Sequence, residues 1–290
     1  MTVLLALLAA LANAFSVVAQ HRASASQASG RGFVHVARYL LTNPMWLVGA
    51  AGLIGAFVFQ ALALHDGLVS VVQALLVTEL VFALVLRRLW IRQLISVWAW
   101  GSAALTCAGL ALFIVMSEPE GGHATPTSGA WLSAMVTAAV VTVALAGLAR
   151  FGSPARKAAL YATAAGVVWA VEATFIKATT DTLAAFGLVG SLARWPIYAL
   201  IVGGIAGSLL TQAALHVGPL RVSQPLLVAV DPFVSIFLGV WIFGEHFTDH
   251  PGRVVAALLG FAVMVVGIVL VTSTAPPDME PSPSLQSRRA

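Results

Sequence analysis

Charge is scarce in this sequence. Only 9% of its 290 residues are Asp, Glu, Lys or Arg, while 60% are hydrophobic. A water-soluble domain carries about 25% charged residues, so this chain cannot cover itself in water. Cysteine is scarcer still. Cys107 stands alone, which excludes an intramolecular disulfide and a cysteine metal site. Lysine occurs twice, at Lys157 and Lys177, against thirteen arginines. We read that as compositional bias, and the net charge of +4 lies in loops rather than on a nucleic-acid-binding face. Alternating segments of about ten residues are missing, which excludes a transmembrane β-barrel. There is no Walker loop, no G-x-S-x-G, no H-E-x-x-H and no His–Asp pair within one apolar run. ATP-driven pumping, enzymatic catalysis and a bound cofactor are therefore not expected.

What is present is a series of apolar runs, each about twenty residues long, the length that crosses a bilayer core at about 1.5 Å per residue. The fold class expected is an all-α polytopic membrane protein. Nine spans are placed near 2–20, 44–64, 68–86, 95–116, 128–149, 157–177, 195–215, 219–243 and 252–272. Turn residues separate them, among them Asn43-Pro44, His65-Asp66-Gly67, Gly152-Ser153-Pro154 and Gly218-Pro219. Promoting 31–42 or 183–194 would make ten; the second piece is too short to span and is expected at the surface or as a half-helix. The first run contains Ala12-Asn13-Ala14, which resembles a signal-peptide cleavage site. It lacks a positive leading segment, so a retained first helix is the reading. The tail 275–290 is Pro/Ser-rich and expected to be disordered and cytoplasmic.

With nine spans and the N-terminus outside, twelve Lys/Arg fall on the inner side and three (Lys177, Arg194 and Arg253) on the outer. That asymmetry orients the chain in a bacterial plasma membrane with its C-terminus in the cytoplasm.

An internal repeat emerges at an offset of 151 residues. "ALHDGLVSVVQALLV" from Ala63 falls on "ALHVGPLRVSQPLLV" from Ala214, and fifteen identities accumulate over 63–111 without a gap. They include His65/His216, Gln73/Gln224, Trp90/Trp241 and Gly109/Gly260. Four spans then make each repeat: 1–116 first, 117–150 an outer loop and linker helix, 151–274 second. A single linker span inverts the second copy. Two inverted four-helix repeats are a signature of secondary transporters, whose substrate site lies near midplane at the repeat interface.

Chemistry is sought where polarity interrupts the runs. A charge at the bilayer centre costs at least about 2.5–3.5 kcal/mol, so one that persists usually faces a cavity. Glu79, Glu172 and Asp231 qualify. Leu80 is the repeat mate of Asp231, which puts Glu79 one position from it. Gln224, Asp231 and Ser235 share a helical face. Pro225 and Pro232 interrupt the same helix and are expected to break it, freeing carbonyls beside Asp231. Gln73, Asn13, Gln60, Thr211 and Gln212 are uncharged candidates to line a path, and Trp169 lies deep enough to join them. Ser208, Thr211 and Gln212 share a face; Gly203, Gly204 and Gly207 form a small-residue face, roughly matched by Gly49, Gly52 and Gly55. His65 and His216 are expected to cap turns at opposite surfaces rather than hold metal. These carboxylates suit a proton or a cation carried along the path.

The stretch "ALHVGPLRVSQPLLVAVDPFVSIFLGVWIFGEHF", 214–247, with its A-L-x-x-G run, proline-bearing helix and Gly244-Glu245, resembles the drug/metabolite transporter superfamily. The first half carries a weaker copy, with Gln93-Leu94 for Gly-Glu and Ala74 and Val81 for the prolines. "ALANAFSVVAQHRA" and "NPMWLVGAAGLIGAFVFQALAL" are similar to its NIPA-like magnesium-transporter branch and EamA-like bacterial relatives, and the likeness covers about 1–272. The resemblance implies a secondary-active carrier of a small metabolite or drug-like solute, proton- or cation-coupled, with a divalent-cation carrier or a non-transporting scaffold as alternatives. The partners expected are that solute or ion, membrane lipid and at most a second copy of the chain; nucleic acid is excluded.

Overall fold

The computed structural model describes residues 1–25, 42–92, 94–122 and 126–273. Among these residues ten α-helices follow in order: α1 Thr2–Ala25, α2 Pro44–Asp66, α3 Val69–Leu76, α4 Glu79–Leu86, α5 Val97–Ser117, α6 Ser128–Leu148, α7 Pro154–Leu192, α8 Trp195–Val217, α9 Leu220–Phe243 and α10 Pro251–Ser273. A single π-helical turn, Arg87–Ile91, extends α4. Nine stretches among the described residues are long and apolar enough to cross a membrane, with Val69–Trp90 counting as one. Large apolar side chains stand on the outside of the bundle, Ile54, Leu132, Val202 and Leu258 among them. Helices of this length and polarity, with such an exterior, make a multi-pass membrane protein, because hydrogen bonds within each helix satisfy the backbone without water.

The helix starts are written locally. Asn43 accepts the amides of Met45 at 2.9 Å and Trp46 at 3.3 Å, with Pro44 at the first helical position. Ser96, Thr127 and Ser153 cap α5, α6 and α7 in the same way.

Two findings revise the expected spans. The segment 183–194 is not a separate piece: α7 runs on to Leu192, 39 residues in all, and leaves helical geometry at Gly187, where φ is 66° and ψ −178°. A glycine tolerates that conformation and bends away the excess length. So 183–194 supplies no tenth span. The other candidate, 31–42, and the tail from Ala275 fall almost wholly outside the described residues. Second, α9 is continuous through Pro225 and Pro232. The interruption lies instead in the first half, between α3 and α4, where no proline stands.

Neighbouring helices run antiparallel. Gly67, which follows α2, lies against Thr2 at the start of α1, and Gly49, near the start of α2, lies against Gln20. The end of the bundle where α1 begins, the near end, also holds two short paired strands, β1 Glu120–Gly121 and β2 Glu245–His246. The α5–α10 pair meets through glycine: a methyl on Gly260 would lie 2.6 Å from the Phe113 nitrogen.

A candidate solute cavity with three carboxylates

The α3–α4 interruption places the first carboxylate. Thr78 Oγ1 donates to the Leu75 carbonyl at 2.7 Å, and the backbone tightens to i→i−3 bonds, Leu80 N to Val77 O at 3.2 Å and Val81 N to Thr78 O at 3.0 Å. Glu79 then opens α4 as its first residue. At the 151-residue offset Val77 falls on Val228, whose carbonyl would have accepted the amide that Pro232 lacks. The helical ladder is thus relieved at matching positions by two different devices.

The relieved turn and its counterpart border one cavity of about 680 Å³. Its walls come from α1, α2, the α3–α4 junction, α7, α8 and α9. Of the sequence candidates, the cavity gathers Asn13, Gln60, Gln73, Glu79, Trp169, Glu172, Thr211 and Asp231, with Pro232 beside them. The Asn13 amide donates to Glu79 Oε2. Ser235 Oγ donates to Asp231 Oδ1 at 3.1 Å. Trp169 Nε1 donates to Thr211 Oγ1 at 3.1 Å. Glu172 is 7% exposed, and its Oε2 has no hydrogen-bond partner among the described residues.

Two candidates fall outside. Gln212 is exposed and lines a shallow outer groove with Ser208, so the face proposed for Ser208, Thr211 and Gln212 divides: Thr211 turns inward and the other two outward. At 100° per residue, adjacent positions 211 and 212 straddle the edge of the cavity. Gln224 is half-buried at the start of α9, about two turns from Asp231, and does not line the cavity.

The glycine face of α8 has a use beyond close packing. The Glu172 carboxylate lies against Gly203 and Gly204, and the Trp169 ring lies over Gly207. Of the α2 glycines, Gly49 and Gly52 face α1, while Gly55 faces open space.

Sequence reasoning missed a second polar cluster at the near end. Glu245 is 2% exposed and accepts the amides of Val69 at 2.6 Å and Ser70 at 3.2 Å, capping α3 from 176 and 175 residues away. Burial raises its pKa above the ordinary glutamate value, while those amides and nearby Lys177 pull it back. Lys177 donates to the carbonyls of Leu64 and of Gly67, the latter at 3.0 Å, closing the end of α2. His65 is not a simple cap: its Nδ1 meets Asp181 Oδ1 at 2.8 Å, tying α2 to α7. Trp131, Phe175, Trp195 and Phe243 pack together beside this cluster. The Gly244-Glu245 dipeptide was the available signal for it, since Gly244 at φ 65° turns the chain out of α9 and aims Glu245 back at α3.

The fold and site thus define a multi-pass helical membrane protein with an internal acidic cavity. No family model matches the chain, and no solved structure matches it. It is similar to an uncharacterized protein of Corynebacterium glutamicum, 28% identical over 280 residues, covering 94% of this chain and 95% of that one.

Proposed function

We propose that this protein is a secondary-active carrier of the bacterial plasma membrane, with its N-terminus outside. It moves a small metabolite or drug-like solute by alternating access, coupled to a proton or cation. The observation that carries the reading is the convergence of Glu79, from the first half, and Asp231, from the second, on one cavity. Asn13, Gln73 and Glu172 line the same path.

Support for two exchanging halves comes from helix pairing. α1 packs on α2 as α7 packs on α8, and α3 meets its own repeat mate α9. Gly109 and Gly260, mates at the 151-residue offset, approach each other reciprocally: a methyl on Gly109 would lie 2.7 Å from the Gly260 oxygen, and one on Gly260 3.0 Å from the Gly109 oxygen. Mates that touch reciprocally are what a two-fold axis between copies produces. Two halves of near-equal energy can exchange conformations, which opens the cavity to each side in turn.

A divalent-cation carrier has less support. Mg²⁺ demands octahedral oxygen ligation at about 2.0–2.1 Å, and the described residues contain no group of three His, Cys, Asp or Glu side chains placed to hold a metal.

The test is accessibility. Gln60→Cys in a Cys107→Ser background is exposed to a membrane-impermeant thiol reagent in right-side-out and inside-out vesicles. Labelling from both faces is expected. Labelling from one face only, or from neither, would overturn alternating access.

A further inference from the structure

We infer that the cavity selects an organic cation, a substituted ammonium or similar centre carried on an apolar body, with Glu172 as its counter-charge. This rests on the carrier reading and names the solute class for the same cavity.

The argument begins with which groups already have partners. Glu79 holds Asn13 and Asp231 holds Ser235. Glu172 is as deeply buried as a core residue, borders the cavity, and keeps one carboxylate oxygen unpartnered. A buried carboxylate in that condition carries a desolvation penalty that a bound cation would relieve. Its own chain does not supply that cation. No Lys, Arg or His lines the cavity among the described residues. Lys177, five residues along α7, directs its amine to the Leu64 and Gly67 carbonyls.

The remaining wall sets the rest of the ligand. Trp169 and Phe57 bring aromatic faces, and Leu53, Leu76, Ile176 and Leu227 bring aliphatic surface. The Trp169–Thr211 bond fixes the indole plane. Aromatic rings attract weakly hydrated organic cations, whereas a small hard ion would have to exchange its water shell for an incomplete set of oxygens. A cavity of about 680 Å³ lies in the range of drug-sized ligand sites, about 300–1,000 Å³. An anionic solute would face three carboxylates with nothing to compensate it. A neutral one could at most donate a hydrogen bond to Glu172 and would leave its charge unbalanced.

Spacing separates two stations. Gly166 of α7 packs beside Val230 and Asp231 of α9. Glu172 is six residues further along α7, about 9 Å along the helix axis. A solute cation can therefore sit at Glu172 while Glu79 and Asp231 respond to the coupling ion.

The test is equilibrium binding to the full-length protein in lipid nanodiscs, by calorimetry and Trp fluorescence. The probes are benzyltrimethylammonium, tetraphenylphosphonium, uncharged N,N-dimethylbenzamide, anionic benzenesulfonate and Mg²⁺. Saturable binding is expected for one or both organic cations, about tenfold or more tighter than for the neutral and anionic probes. Glu172→Gln should weaken it by about tenfold or more, with Glu172→Asp keeping part of it and Gln212→Ala, outside the cavity, staying within about threefold. Wild-type melting profiles for all three variants show that they are folded. The inference is overturned if neither organic cation binds, if N,N-dimethylbenzamide binds as tightly, if Glu172→Gln binds like wild type, or if Mg²⁺ alone binds. Because binding needs no turnover, these results stand apart from the two-sided accessibility test: a carrier of another solute would pass that test and fail this one.

Discussion

Glu172 and Gly203 make a single unit at the scale of residues. The carboxylate has its place because α8 presents hydrogen where any other residue presents a carbon; a methyl on Gly203 would collide with Glu172 Oε2. Gly55, on α2, has nothing within 4 Å of a methyl built there. Glycine to alanine in an exposed helix interior is favourable by up to about 1 kcal/mol, so the two substitutions separate packing from site geometry. Gly55→Ala should melt at or slightly above the wild-type temperature and bind benzyltrimethylammonium unchanged. Gly203→Ala should weaken that binding by about tenfold or more, because it displaces the counter-charge. Equal affinities for the two variants, measured by calorimetry, would show that the glycine face has no part in holding Glu172.

At the scale of elements, the two central helix runs reach similar ends by different chemistry. The Val77–Thr78 turn is made by a threonine back-bond and short i→i−3 bonds, and α9 relieves the matching carbonyl by having proline four residues on. The expectation that proline would break α9 failed because neighbouring helices hold it continuous, a common outcome in membrane helices. The α3 start depends on a remote carboxylate. Burial raises the pKa of Glu245, so the folded protein favours its protonated form. The resulting contribution to stability is full below the ordinary value of 4.5 and is lost as pH rises through the raised one. Melting temperature should therefore fall with rising pH in the wild type. In Glu245→Gln, whose amide keeps an acceptor oxygen for Val69 and Ser70, that part of the slope should vanish. A wild-type slope unchanged in the variant would remove Glu245 as its source.

For the whole molecule, the question is the sense in which the two halves insert. His65 and His216, matched at the 151-residue offset, stand at the ends of α2 and α8, and both are exposed. Inverted halves place them on opposite faces. In a Cys107→Ser background, His65→Cys should react with an impermeant maleimide from outside intact cells, and His216→Cys only after the cytoplasmic face is opened. Reaction of both from the same side would end the inverted-repeat description, and with it the exchange of halves that alternating access requires.

Span number, span length and helix starts were legible in the sequence because they depend on neighbours. Twenty apolar residues, or an Asn before a Pro, act within a few positions of themselves. The carboxylates were legible too, since a charge in an apolar run is conspicuous wherever it points. What each one meets was decided only in three dimensions. Asn13 reaches Glu79 across 66 residues, and Val69 reaches Glu245 across 176. Gln212 and Thr211, adjacent in the chain, ended on opposite sides of the cavity edge. Periodicity defines a helical face without saying which neighbour covers it. That choice belongs to the packing of all the helices at once, through which one carboxylate found an amide, another a hydroxyl, and a third was left against two glycines at the cavity wall.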